Sequence, residues 1–443
     1  MLPVENVSRS WSHRLTDAYI FIMLTAFPLF TGVTGYLYLG LKKFFFFLLF
    51  TMLWLSGLLV CLAVRCIKLR RIVKPRQTDW YIIGFLLVAA ASTIHSSYGV
   101  LLSTEIGRYD SLLTYLLYGV ILLSISHYGQ EKRYYLYAFA FSYTLCCVVA
   151  LLQLFGWNAL WLYPDQMNYH DPYVLETGVF LGTMGNIDIF SALHCIAIPI
   201  FIGSTILGRR KNRFFLLIPV FLGLTTLIAA GVASGILALS VTMILSLPAI
   251  CAIKHQERTG KKLPRWFLFS GLLILLSALA LFFYLPLRSG TLFEIQRVIH
   301  GEFRDEYGSS RIRIWKEVIE VYRNNVFLGI GPGTLDYYLD IRFERYSELL
   351  GEILFSYVDN AHNEYLQLLV SFGLLGFIPF CILLLDTWYG ILSNLEQSKT
   401  LQILAPAFLC YLIQAFFNIG NIIVVPIFFI LWGFILNGVY KIS

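Results

Sequence analysis

The sequence predicts an all-α polytopic membrane protein with about twelve transmembrane helices. Of its 443 residues, 58% are hydrophobic and only 13% are charged, which is about half the charged fraction of a soluble domain. The charges are also clustered, and the apolar runs between them are about 18 to 25 residues long, enough to cross a hydrocarbon core. Although the net charge is +7, the basic residues follow the pattern of topology determinants. We therefore expect membrane lipid, and no nucleic acid, as a partner.

One long polar segment divides the predicted spans into two groups. Hydropathy places the spans at residues 18–40, 44–64, 80–97, 111–128, 134–156, 178–206, 214–230, 232–253, 266–287, 362–391, 401–419 and 421–440. The predicted organisation is therefore spans 1 to 9 in residues 1–287, a polar insert in residues 288–361, and spans 10 to 12 in residues 362–443.

Lysine and arginine in the short loops predict the orientation in the membrane. Three connections, after the second, sixth and eighth spans, are rich in these residues: Arg65, Lys68, Arg70, Arg71, Lys74 and Arg76; Arg209, Arg210, Lys211 and Arg213; Lys254, Arg258, Lys261, Lys262 and Arg265. By the positive-inside rule these loops are cytoplasmic. Both termini are then expected in the cytoplasm, and the polar insert is expected outside the cytoplasmic membrane.

The polar insert contains a predicted amphipathic helix that begins near Arg311. Its apolar face is formed by Ile312, Trp315, Ile319 and Tyr322, which are spaced three or four residues apart. We expect Ser309 or Ser310 to cap its start, and the glycines of 329–333 to follow its end in a turn. A second polar helix is predicted from residue 334 to about residue 352.

Two arginines, Arg311 and Arg313, lie at the start of the amphipathic helix. Positive charge at a helix N-terminus is unfavourable with the macrodipole, so two arginines at this position suggest a role other than helix stabilisation. A bound anion would remove the conflict, because helix N-termini and arginine side chains both bind phosphate. We predict this role for Arg311; for Arg313 a solvated helix start is an equal alternative.

His362 opens the tenth span and is flanked by Asn360, Asn363 and Glu364. Ionisable residues at membrane depth indicate a functional site, and an ordinary histidine pKa of about 6.5 suits a general base. The alternative is an interfacial histidine bonded to Asp359 or Glu364. Although His362 and Glu364 resemble part of a metal site, no second histidine lies one helical turn away, and we expect no metal.

Two further groups of residues have both a functional and a structural interpretation. Polar side chains interrupt the sixth and the last two spans at Asn186, Asp188, Asn418 and Asn421. They could line a cavity or pair helices. The connection 156–177 carries the aromatic residues Trp157, Trp161, Tyr163, Tyr169 and Tyr173. A belt at the lipid headgroups is typical of such residues, and a sugar-stacking surface is the alternative.

Several tracts of the sequence resemble the O-antigen ligase/O-antigen polymerase family. They are the tract 182–188, the tract 310–315 with its continuation 325–333, the tract 361–367 with 373–376, and the tract 414–418 before Pro426 and Gly433. The resemblance covers residues 178–440. It implies a metal-independent, cofactor-free and inverting glycosyl transfer at the outer face of the cytoplasmic membrane, in cell-surface polysaccharide biosynthesis. The donor would be a glycan on undecaprenyl pyrophosphate, and the acceptor a hydroxyl of a glycan, lipid or protein.

The resemblance also implies roles for individual residues. Arg311 would hold the leaving pyrophosphate, and His362 would be the catalytic histidine. Further substrate contacts are expected from Arg313, Arg323, Asn186, Asn363 and Glu364. Many members carry a second arginine at the start of the eighth span, where this chain has Ser234 and Gly235. Arg313, Arg323 or another loop arginine would have to replace it.

Three alternatives to a ligase remain at this point. A polymerase of the same family uses the same donor and differs only in its acceptor. A secondary transporter of twelve spans is disfavoured, because we find no repeat between the halves and no paired broken helices. The third is a non-catalytic partner of a polysaccharide export system.

Overall fold

The protein is a polytopic helical membrane protein, and its computed structural model describes residues 4–69, 74–99, 108–163, 180–208, 211–347 and 352–441. The helices are α1 Val4–Leu29, α2 Leu39–Leu69, α3 Gln77–His95, α4 Leu112–Tyr128, α5 Arg133–Leu154, α6 Ile187–Leu207, α7 Leu217–Ala230, α8 Ala233–Thr259, α9 Arg265–Tyr284, α10 Thr291–Ile299, α11 Arg311–Arg323, α12 Glu364–Asn394, α13 Lys399–Ala415 and α14 Val425–Tyr440. Two strands, β1 Arg342–Ser347 and β2 Glu352–Tyr357, form an antiparallel hairpin.

Among the described residues, seven helices are long and apolar enough to cross a membrane: α2, α3, α5, α6, α7 with the turn before it, α8 and α12. Shorter apolar helices of 10–17 residues occupy the predicted fourth, ninth, eleventh and twelfth spans. Helix α6 is the most enclosed of the seven, with 78% of its apolar window buried, whereas α2 has 22%. Helix α6 therefore lies in the middle of the bundle, and α2 presents most of its surface to lipid.

The first two predicted spans have different boundaries in the structure. The prediction of 18–40 is wrong at its C-terminal end, since α1 runs from Val4 to Leu29 and α2 begins at Leu39. The reason is the pair Gly32 and Gly35, whose φ angles of +70° and +56° are left-handed and interrupt the helix.

The sixth span also begins later than predicted. Helix α6 starts at Ile187, after a turn over residues 181–185, and the predicted start at residue 178 lies outside the described residues. So do several other residues named from the sequence: Arg70, Arg71, Arg209, Arg210, Tyr169 and Tyr173. Within the described part of the aromatic connection, Trp157 and Trp161 are exposed and Tyr163 is buried.

The polar insert contains two helices and a hairpin. Helix α11 forms where the amphipathic pattern predicts it, but its buried residues are Ile312, Ile314 and Val318, and Ile319 of the predicted apolar face is 40% exposed. The predicted second polar helix over 334–352 is wrong, since this stretch holds a short 3-10 turn and β1. Polar and apolar residues alternate from residue 341 to 344, with the two-residue period of a strand. The segment that pairs with it, 352–357, is rich in the aromatic and β-branched residues that favour strands.

A small hydrophobic core joins the polar insert to the membrane helices. It comprises Ile314, Val318, Ile330, Leu335, Ile341, Val358, Ala361 and Val370. The last of these belongs to α12, so the insert packs directly on that helix. Residues of the insert therefore keep a fixed position relative to the start of α12.

Helix α12 is interrupted at Gly373, and the turn after α11 is hydrogen-bonded into the interruption. Gly373 has φ +61° and ψ −170°, a conformation essentially restricted to glycine. Ile330 N donates to Val370 O at 3.0 Å, and Gly331 N donates to Ser371 O at 2.9 Å. In the opposite direction, Leu374 N of α12 donates to Val326 O at 2.7 Å. The glycine-rich turn is thus joined to α12 through the main chain.

Candidate active site

The segment before α12 holds His362 in a strained backbone conformation. His362 has φ +49°, and its N–H donates to the Asn360 side-chain oxygen at 3.0 Å. Ala361 N donates to Gln367 Oε1 at 3.0 Å. The Asn363 side chain caps α12 by accepting from the N–H groups of Tyr365 and Leu366, each at 3.0 Å. The imidazole of His362 makes no hydrogen bond within the described part of the chain, so both ring nitrogens are available for chemistry.

Arg311 is the first residue of α11 and follows three left-handed residues, Gly308, Ser309 and Ser310, with φ of +65°, +56° and +64°. Ser310 occupies the N-cap position, but its side chain makes no capping hydrogen bond, so the predicted capping is wrong there. Arg311 Nη1 donates to Gly308 O at 3.0 Å. Its Nε is buried and has no partner in the described part of the chain. A buried guanidinium with an unused donor is suited to bind an anion.

Helix α11 and the His362 segment are joined by Trp315, whose indole Nε1 donates to Ala361 O at 3.0 Å. Burial, and to a smaller extent the positive charges of Arg311 and Arg108, lower the pKa of His362 to about 4, while the Asp359 carboxylate opposes them. The imidazole is therefore neutral at neutral pH. Burial also lowers the pKa of Arg311, and the Asp188 carboxylate opposes this shift.

Arg108, in the loop before α4, is a site residue that sequence reasoning missed. Its Nε and Nη2 donate to Asp359 Oδ2 at 2.5 Å and Oδ1 at 2.7 Å. Asp110 lies in the same group, where burial raises the pKa of its carboxyl to about 6 against the charge of Arg108. The available signal was weak: Arg108 stood out only as an arginine in a loop otherwise poor in basic residues.

The asparagines that could either line a cavity or pair helices have structural hydrogen bonds. Asn186 caps α6, where its Oδ1 accepts from Asp188 N at 2.7 Å and Ile189 N at 3.3 Å. Asn418 Nδ2 donates to Asp188 O at 2.9 Å, and Asn421 Oδ1 accepts from Ile423 N at 3.0 Å. These contacts bring the start of α6 and the turn before α14 together. They leave the Asp188 side chain close enough to Arg311 to influence its charge.

The remaining candidate residues lie at the start of α12 and on the exposed side of α11. Glu364 accepts from the hydroxyl of Tyr411 at 3.0 and 3.2 Å. Arg313 pairs with Glu317 and Arg323 with Glu320, each at 3.2 Å on the exposed side of α11. The structure therefore brings Arg311 and His362 together with Asp359 and Asp188, and it adds Arg108 to this group. The positions of Arg313 and Arg323 are those of surface ion pairs.

A comparison with protein families shows what the region around this site is similar to. Residues 191–381 match the family described as O-antigen ligase. This range is similar to the O-antigen ligase family. The matched range includes Arg311 and His362, whereas Arg108 precedes it. Among curated proteins, none matches the chain. The match points to a glycan-transferring membrane protein of the ligase or polymerase type.

The candidate site has groups suited to two chemical tasks. A neutral imidazole can accept a proton from a hydroxyl within hydrogen-bond reach. Fixed guanidinium groups can stabilise the negative charge that develops on a leaving phosphate. His362 is suited to the first task, and Arg311 and Arg108 are suited to the second.

Proposed function

We propose that this protein is an inverting glycosyltransferase that moves a glycan from undecaprenyl pyrophosphate to an acceptor hydroxyl of a glycan, lipid or protein. The observation that carries the proposal is the neutral His362 imidazole beside the buried Arg311, whose Nε has no partner in the described part of the chain. A base and a cation are the two groups that this transfer requires. The reaction would serve cell-surface polysaccharide biosynthesis.

The proposed step is a single displacement at the anomeric carbon of the donor sugar. The acceptor oxygen forms the new bond to this carbon while the bond from the carbon to the diphosphate oxygen breaks. His362 takes the hydroxyl proton, and the diphosphate leaves with the electron pair on its oxygen, facing Arg311. One displacement from the opposite side inverts the configuration. The diphosphate leaves without a proton because fixed cations meet its charge.

We further propose that Arg108 replaces the arginine that the family resemblance led us to expect near Ser234. Arg108 influences the His362 pKa and is held by Asp359, three residues before that histidine. By contrast, Arg313 and Arg323 make exposed pairs with glutamates of their own helix. Asn186, Asn363 and Glu364 remain proposed substrate contacts, which would act in addition to their helix-capping and hydroxyl contacts.

The decisive experiment is an in vitro reaction of the purified full chain with a defined undecaprenyl-pyrophosphate-linked glycan. Release of undecaprenyl pyrophosphate together with a glycosylated acceptor supports the transferase. A single addition to a separate acceptor indicates a ligase, whereas a ladder of products indicates the alternative, a polymerase. A secondary transporter or a non-catalytic export partner would give no product, and its function in cells would survive His362→Ala.

The proposal includes a topology and a metal-independent mechanism. The polar insert would face the outside of the cytoplasmic membrane, with both termini in the cytoplasm, as the basic loops predict. A cysteine placed in the insert should react with a membrane-impermeant reagent added to intact cells or spheroplasts. Since Arg311 and Arg108 are proposed to supply the positive charge, EDTA should leave the transfer rate unchanged. Inhibition by EDTA that Mg²⁺ or Zn²⁺ reverses would contradict that mechanism.

A further inference from the structure

Two tyrosines from distant parts of the chain stack on each other where the polar insert meets the end of α3. The ring planes of Tyr98 and Tyr337 differ by 4°, and the ring centroids are 4.7 Å apart. Tyr338 meets the Tyr98 ring edge-on, with centroids 5.6 Å apart. Tyr98 and Tyr337 are nevertheless 47% and 48% exposed, so the stack leaves about half of each side chain open. We call Tyr98 and Tyr337 the tyrosine platform.

The fold holds the tyrosine platform in a fixed position. Tyr98 follows the end of α3, and Tyr337 lies in the short 3-10 turn of the insert. Ser371 O of α12 accepts from Ser92 Oγ of α3 at 2.7 Å. The same carbonyl accepts from Gly331 N of the glycine-rich turn at 2.9 Å. A single carbonyl of α12 therefore joins both elements that supply the two rings.

The tyrosine platform lies close to Arg108 of the candidate site. Burial raises the pKa of the Asp110 carboxyl to about 6, and the nearby carboxylate of Asp336 contributes to this increase, whereas Arg108 opposes it. Asp336 directly precedes Tyr337 in the chain, and the exposed Asp340 follows three residues later. The platform is therefore next to the candidate site and has acidic surroundings.

We propose that the tyrosine platform binds a sugar ring of the glycan substrate on the open side of its rings. This inference rests on the proposed function, which supplies the glycan. A pyranose has a face of C–H groups that can pack on an aromatic ring, while its hydroxyls can donate to neighbouring carboxylates. The acidic surroundings disfavour an anionic phospholipid headgroup as the occupant. The same chemistry fits a ring of the donor glycan and a ring of a glycan acceptor.

The first test is hydroxyl-radical footprinting of the unmodified full chain in phosphatidylcholine nanodiscs. The probe is the oligosaccharide mixture that mild acid releases from the surface polysaccharide of cells that make the protein. It carries no lipid or diphosphate, so no transfer is needed for a signal. The oligosaccharides should lower the oxidation of Tyr98 and Tyr337. The oxidation of Tyr284, which is 82% exposed at the end of α9, should be unchanged.

Substitutions of Tyr98 give a matched set of variants. Tyr98→Ala should weaken binding of the oligosaccharides about tenfold, measured by saturation-transfer NMR, because the stacking ring is lost. Tyr98→Phe keeps the ring and should bind nearly as well as the unmodified protein. Tyr284→Ala is the control and should bind normally. If Tyr98→Ala does not fold, the footprint of the unmodified protein still decides the question.

The separate transfer reaction distinguishes the two sources of the sugar ring. A KM of Tyr98→Ala that is raised for the donor assigns the ring to the donor glycan. A KM that is raised for the acceptor assigns it to the acceptor.

Two results would overturn the inference. In the first, the oligosaccharides leave the oxidation of both platform tyrosines unchanged; a decrease on adding phosphatidylglycerol to the nanodiscs would then identify a lipid headgroup as the occupant. In the second, Tyr98→Ala transfers glycan with the KM values of the unmodified protein. Protection of the platform by oligosaccharides without any transfer would support this binding site and contradict the proposed function. Transfer without protection would do the reverse.

Discussion

The guanidinium of Arg108 is bonded to the carboxylate of Asp359 through two hydrogen bonds, although the two residues are 251 positions apart in the chain. Two parallel N–H···O bonds fix the direction of both groups as well as their distance. Because Asp359 lies three residues before His362, the loop between α3 and α4 is joined to the segment of the proposed catalytic base. A residue outside the matched family range thereby becomes part of the candidate site.

Arg108→Ala should weaken donor binding by roughly ten- to a hundredfold, because it removes a charge-assisted contact of about 1.5–3 kcal/mol. Arg108→Lys should be intermediate, since a lysine keeps the charge but not the paired hydrogen bonds. The measurement is the Kd for undecaprenyl pyrophosphate. Arg313→Ala, which removes an exposed arginine paired with Glu317, is the control and should bind normally. Equal losses in the two variants would contradict the assignment of Arg108.

Arg311→Ala should reduce kcat/KM for glycan transfer by about a hundredfold or more, because the developing charge on the leaving diphosphate loses its cation. The protein should still insert and fold, since Arg311 donates to the neighbouring Gly308 carbonyl and to no other group among the described residues. Arg323→Ala is the matched control from the other end of α11, where the side chain is exposed. Unchanged transfer by the Arg311 variant would remove it from the mechanism.

His362→Ala should lower the transfer rate by about 10²–10⁴, the usual contribution of a general base. Binding of undecaprenyl pyrophosphate should persist, because the proposed role of the imidazole concerns the acceptor proton. The control is His300→Ala, in the polar insert, where the imidazole stacks on Phe283. A His362 variant that transfers glycan at the normal rate would show that another group takes the proton.

The pH dependence of transfer follows from the lowered pKa of His362, about 4 in the unliganded protein. A general base must be unprotonated, so kcat/KM should be flat near neutral pH and fall only as the pH drops toward about 4. Bound diphosphate offsets the positive charges of Arg311 and Arg108, which raises the pKa of the imidazole. The acidic limb of kcat should therefore lie at higher pH than that of kcat/KM. Coincident limbs would contradict this electrostatic coupling.

Gly373→Ala should destabilise the protein, by about 1–3 kcal/mol from backbone conformation alone. An added Cβ would also lie 2.2 Å from the Phe327 carbonyl oxygen. Gly84→Ala in α3 is the control, because a Cβ there meets nothing within 4 Å and alanine favours helix. Thermal unfolding in detergent should show a lower transition temperature for Gly373→Ala. Gly84→Ala should show no decrease.

Local patterns in the sequence predicted the helical class and the position of α11, because hydropathy and the helical period are properties of neighbouring residues, but they did not predict which residues of α11 are buried. They failed where a few glycines determine the end of a helix, as at Gly32 and Gly35. They also misassigned 334–352, where short segments of mixed pattern form a hairpin. They named Arg311 and His362, whose surroundings in the sequence are unusual. They could not find Arg108, because its role depends on a contact with Asp359 that only the folded chain creates.

The main-chain bonds between the glycine-rich turn and the broken α12 also limit how the protein can move. Four of them join the turn to α12 on both sides of Gly373, and they include the bond from Leu375 N to Phe327 O at 3.1 Å. Lifting α11 away from the His362 segment would expose these groups to an apolar surrounding, at a cost of several kcal/mol for each. We therefore expect Arg311 and His362 to move as one rigid body during turnover. Specificity for the incoming sugar would then depend on its fit to a preformed cleft, and the enzyme would need no hinged cover.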